Sequence, residues 1–151
     1  MLTDLTLAIG HHLLMFALIV LLVMELMLVR PGLSGARLTY LGRLDLAFGI
    51  VAGLILVVGF GRVFMGLKPS AYYFANLFFW AKIAAFLTVG ALSLPPTMRI
   101  VLWRRAVGGD AAFAPGADEV RTVRRFMHWE AVVFALIPIF AALMARGYGA
   151  L

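Results

Sequence analysis

Two histidines, His11 and His12, stand side by side in the stretch Leu7 to Phe16, among residues otherwise suited to hydrocarbon. The third histidine of the chain is His128. An imidazole in such surroundings has several chemistries open to it. It can ligate haem iron, bind copper or zinc, relay protons, or act as polar glue between helices. What shares its depth decides between them. A helix rises about 1.5 Å per residue, which puts His11, His12 and Arg62 roughly 10 Å below one membrane surface and Lys82 about 10–15 Å below it. Tyr72, Tyr73 and Asn76 fall just above this level. Iron-ligating nitrogen with cations at the same depth suits a b-type haem, whose propionates need positive partners. The expected cofactor is therefore haem b. His11 and His12 are the expected iron ligands, Arg62 and Lys82 the propionate partners, with Lys82 also open as a ligand and Tyr73 beside them.

A second polar level lies toward the other surface. It holds Glu25, Asp45, His128 and Glu130, with Arg43, Arg99, Arg124 and Arg125 around them. Opposite charges at one depth predict a layer of structural ion pairs; the sharper reading is a proton path or a second cofactor site. Two histidines on one iron place their nitrogens about 4 Å apart, from metal–nitrogen bonds of about 2 Å. His128 should lie roughly 15–20 Å from the histidine pair in a hydrocarbon core about 30 Å thick. It is a reserve ligand, for a second haem or for a kinked geometry. Seven and fourteen residues return a helix nearly to one direction, so His11 shares a stripe with Asp4, Leu22 and Glu25. Buried charge seeks the bundle interior, so His11 should point inward. His12, about 100° further round, should face a flank: another helix or a second subunit.

The elements that must position these residues are membrane spans. The sequence is 64% hydrophobic and 13% charged, with no cysteine, and its mean hydropathy is +1.04. Soluble domains are about half apolar and a quarter charged. The chain is thus expected in a lipid bilayer, and disulfide, thiolate and iron–sulfur chemistry are excluded. The net charge of +6 reads as topology-setting loop charge rather than a nucleic-acid surface. Four stretches reach the roughly 20 apolar residues that a crossing needs: about 5–29, 44–67, 73–94 and 125–145, with a loop of about 99–124. The fold class is all-α, a four-transmembrane-helix bundle in one domain. Pro95-Pro96 is expected to end the third span and Pro138 to kink the fourth. The basic loops, with Arg30, Arg37 and Arg43 and with Arg99, Arg104, Arg105, Arg121, Arg124 and Arg125, place that side in the cytoplasm. Both termini then face outward, and the first segment, lacking a positive leader and cleavage site, should remain as a helix. Gly49-x-x-x-Gly53 offers a close-packing face, within one subunit or between two. Phe74, Phe78, Phe79, Trp80 and Phe86 form an aromatic band.

Several of these residues recur as a pattern. His11-His12 with Glu25, Arg43-Leu44-Asp45, Gly59-Phe60-Gly61-Arg62-Val63, Tyr72-Tyr73, Asn76, Phe79-Trp80-Ala81-Lys82, Ser93 to Thr97, Trp103-Arg104 and the stretch from Leu136 to Gly147 together resemble a family of small, uncharacterised four-helix membrane proteins of bacteria. More distantly the layout is similar to HemJ-type protoporphyrinogen IX oxidases. That resemblance implies haem b, with a functional histidine early in the first helix and a lysine in the third, matching His11 or His12 and Lys82 here. This chain doubles the histidine and adds Arg62, so haem binding is the expected inheritance. The expected function is a small electron-transfer or redox cytochrome of the bacterial inner membrane. It would be a homodimer with a redox partner of unknown identity. A protoporphyrinogen oxidase-like enzyme, a small transporter and a scaffold protein are the alternatives.

Overall fold

The computed structural model describes residues 2–151. Its elements are α1 (Leu2–Leu28), α2 (Ala36–Met65), the short α3 (Ser70–Phe74), α4 (Leu77–Gly109) and α5 (Ala117–Ala145). All but α3 are long and apolar enough to cross a membrane. α1 with α2, and α4 with α5, form the two extensive pairings; α2 meets α4 less closely, α1 touches α5 lightly, and the backbones of the diagonal pairs do not approach one another. Two helical hairpins are therefore joined mainly through α2 and α4, in a ring.

One end of the bundle carries the two hairpin turns; the other, the terminal end, carries both chain termini and α3. At the hairpin end Gly32 and Gly35 take positive φ angles of 85° and 55°, which glycine alone adopts without strain. This lets the α1–α2 turn fold Leu33 under the helices, where it is buried with Val29, Leu38, Leu41, Ile100, Trp103 and Met127. A second apolar cluster, with Leu18, Leu22, Phe48, Ile55, Val89, Phe134 and Ile137, fills the middle of the bundle.

Three boundaries differ markedly from those that the sequence suggests. α4 runs unbroken through Pro95 and Pro96 to Gly109, and α5 begins at Ala117. The stretch 99–124 is thus mostly helix, and the turn is confined to 110–116. Each proline removes one helical hydrogen bond, but bilayer helices tolerate this where neighbours hold them. Pro96 is buried and α4 packs along α5. At 33 residues α4 is about 50 Å long, well beyond a 30 Å hydrocarbon core. The arginines at its end therefore ride on a helix that projects from the bilayer. α2 likewise starts earlier than expected, at Ala36, and ends at Met65.

Candidate functional site

Every long helix supplies a residue to a pocket at the terminal end. α1 brings His11, α2 brings Gly59, Arg62 and Val63, α4 brings Lys82, and α5 brings Met144 and Ala145; Lys68 and the α3 residues Tyr72 and Tyr73 close the top. This polar cavity holds about 150 Å³. It adjoins an apolar one of about 70 Å³ that shares His11, Gly59, Val63 and Lys82 and continues to Met15, Phe79 and Phe86. Arg62 and Lys82 both lie within electrostatic reach of His11.

His11 points inward, along the stripe it shares with the buried Leu22 and Glu25. Its ring lies against Gly59, where an added Cβ would stand 3.3 Å from Cε1; a side chain at position 59 would push the imidazole away. Nδ1 is buried with no hydrogen-bond partner, as is Nε of Arg62. Buried polar atoms are normally paired, so both are open questions that a ligand would answer. Lys82 has its ammonium 5.3 Å from the centre of the Phe79 ring.

The other two histidines are elsewhere. His12 is exposed on the outer face of α1, with Nδ1 2.7 Å from the Ala8 carbonyl oxygen. Its ring centre is 6.4 Å from that of His11, nearly perpendicular to it. Adjacent helical positions diverge by about 100°, so the two rings of one chain do not face a common iron. His128 is exposed on α5, its Nδ1 2.6 Å from the Arg124 carbonyl oxygen, and it lines neither cavity. Tyr73, Arg62 and Lys82 do converge with His11.

Backbone clips hold the pocket's roof. The Tyr72 hydroxyl donates to the Met144 carbonyl at 3.2 Å. Asn76, 2% exposed, caps α4 by accepting from the Phe78 N–H and donates to the Tyr148 carbonyl. The Leu77 N–H reaches Gly149, and the Leu151 N–H reaches Ala75. Asp4 accepts from the Leu67 N–H at 3.2 Å, and Lys68 lies 3.8 Å over the Tyr72 ring. Sequence reasoning left out Lys68 and the clip by the C-terminal residues; the clip is made by backbone groups and has no signature in residue type.

The second polar level differs from its expected form. Glu25, Asp45 and Glu130 are buried at 4%, 8% and 2% exposure and lie within electrostatic reach of one another. They form a layer between the two apolar clusters. Among the described residues, no arginine forms an ion pair with them: the salt bridges are Arg99–Glu119 and Arg121–Asp118. Arg124 instead donates to the Leu26 and Val29 carbonyls at 2.9 and 2.8 Å. It satisfies the orphan acceptors that every helix C-terminus presents, here those of α1. Arg43, two residues from Asp45, is exposed on α2, and Arg124 and Arg125 lie more than one turn beyond Glu130 toward the hairpin end. Asp45 accepts from the Thr97 hydroxyl, whereas Glu25 Oε1 and Glu130 Oε1 have no partner.

Four apolar helices in a ring, with a polar pocket at one end and a carboxyl layer within, define a small multi-pass membrane protein. The chain belongs to the family described as predicted membrane protein (DUF2214), whose pattern it matches over residues 3–149. No curated protein and no solved structure is detectably similar to it.

Proposed function

We propose that this membrane protein binds an amphipathic ligand with acidic groups at its terminal end, and that the ligand is haem b. One observation carries the reading: the inward imidazole of His11 is without a partner in a cavity that also holds Arg62, Lys82 and Tyr73. The donor set fits the cofactor. His11 would ligate the iron, Arg62 and Lys82 would neutralise the propionates, and the Tyr73 hydroxyl would donate a hydrogen bond to one of them. The enclosed room, about 150 and 70 Å³ in the adjoining cavities, is less than the roughly 300–1,000 Å³ of drug-sized ligand sites. The macrocycle would therefore have to extend out of the bundle. Haem supplies one-electron chemistry when bound, and the chain's own part is to grip, neutralise and shield it.

A small electron-transfer cytochrome, serving a redox partner in the bacterial inner membrane, is the role that follows. The loop arginines support placing the hairpin end in the cytoplasm and both termini outside. A homodimer is supported by Gly53, which is exposed on α2 outside the α2–α4 cleft, with no atom within 4 Å of where a Cβ would stand. His128 has no part in this site.

The experiment is an absorption spectrum of the detergent-purified protein after haem reconstitution, air-oxidised and then dithionite-reduced. A Soret band that His11→Ala removes and His12→Ala retains is expected. A protein that stays colourless at saturating haem, or a band indifferent to His11→Ala, refutes the reading.

A further inference from the structure

A third cavity lies between α2 and α4, backing onto the apolar part of the histidine site at Phe86 and Phe134, and at about 330 Å³ it is the roomiest of the three. That volume enters the range of small-molecule sites, roughly 300–1,000 Å³. Its mouth is lined by Leu46, Ile50 and Gly90, which are exposed on the bundle's outer face and would meet lipid. Its walls include Phe48, Phe86 and Phe134. It ends on Asp45 and Thr97. α2 and α4 make a looser pairing than either hairpin, which leaves the cleft its width.

Beyond this end lie the other two carboxyls. Glu130 is four residues from the wall residue Phe134, and Glu25 is seven from the wall residue Leu18, so each is on the same helix face as a residue that the cleft reaches. Both side chains are more than nine-tenths buried, and each has a carboxyl oxygen without a partner. Arg104 packs across Gly42 and lies within electrostatic reach of Asp45 without forming an ion pair. Acidic groups inside a bilayer are costly and mark ligand or ion paths. Among the described residues no three His, Asp or Glu side chains converge tightly enough to hold a metal ion.

We infer that the α2–α4 cleft is a binding site for a lipophilic organic cation, an ammonium- or phosphonium-type centre on an aromatic or alkyl body, drawn from the bilayer. The charge is met by Asp45, with Glu25 and Glu130 behind it. The phenylalanine walls receive the body, and a ring face adds cation–π attraction. The cleft shares the Phe86 and Phe134 walls with the apolar cavity beside the histidine pocket, but none of that pocket's polar residues.

The test is equilibrium binding of tetraphenylphosphonium to the purified full chain in nanodiscs of neutral lipid. Uncharged triphenylphosphine oxide serves as the comparison. Saturable binding of the cation is expected, about tenfold or more tighter than the neutral compound. Asp45→Asn should weaken it about tenfold. Gly90→Leu should do the same by filling the mouth, since a Cβ there meets no atom within 4 Å. No saturable binding, equal binding of the neutral compound, or unchanged affinity in Gly90→Leu or in a monodisperse Asp45→Asn overturns the inference.

Discussion

The terminal-end pocket and the mid-bundle layer are opposites. The first gathers His11, Arg62, Lys82 and Lys68 around a cavity; the second gathers Glu25, Asp45 and Glu130 with no ion-pair partner among the described residues. If polar groups served only to bind helix to helix, opposite charges at one depth would be the cheaper arrangement, since buried charge is stabilised chiefly by pairing. Here the pocket's cations are kept apart from the three acids by an apolar cluster that includes Leu18, Phe48, Val89 and Phe134. Each region also keeps buried polar atoms unpaired: Nδ1 of His11 and Nε of Arg62 in one, Oε1 of Glu25 and Glu130 in the other. The contrast implies that each completes its hydrogen bonding with something other than protein.

Substitutions can break or sharpen this contrast. The largest effect is expected from removing both pocket cations. Arg62→Met with Lys82→Met should cost about 3 kcal/mol of haem affinity, roughly a hundredfold, at about 1.5 kcal/mol for each charge-assisted contact. Haem titration reads this directly, and an effect under about threefold would mean that the cations do not face the ligand. Next comes Arg124→Ala, which sits near the acid layer yet serves the backbone. Loss of its bonds to the Leu26 and Val29 carbonyls should lower stability by about 2 kcal/mol, measured by unfolding in mixed micelles, with neither ligand affinity changed once folded. The smallest effect is expected at Gly59→Ala. The new methyl would stand 3.3 Å from His11 Cε1, so the imidazole must shift, at about 1 kcal/mol. A several-fold loss of haem affinity should appear, with overall stability nearly unchanged.

Much of the architecture is legible in the residues. Apolar runs bounded by Arg30-Pro31-Gly32 and Lys68-Pro69 mark two helices to within a few residues at those ends. The stripe through Leu22 and Glu25 aims His11 inward, because helical periodicity reports direction. Local chemistry misleads at Pro95-Pro96, which reads as a stop. Packing of α4 on α5 overrides it there. Nor does the sequence distinguish an arginine that pairs with acid from one that caps carbonyls; Arg124 and Glu25 share a region but not a contact. The α2–α4 cleft is not visible at all, since it arises from how loosely two helices meet rather than from any residue type. Thr97 passes as an ordinary helical threonine until Asp45 is placed beside it.

The most direct measurement crosses the two sites: haem and tetraphenylphosphonium are each titrated into the wild type, His11→Ala and Asp45→Asn. Two regions built for ligands of opposite sign predict that His11→Ala weakens only haem and Asp45→Asn weakens only the phosphonium, each by about tenfold or more, equivalent to at least about 1.4 kcal/mol. Equal losses of both ligands in both variants, or no loss in either, would contradict the account.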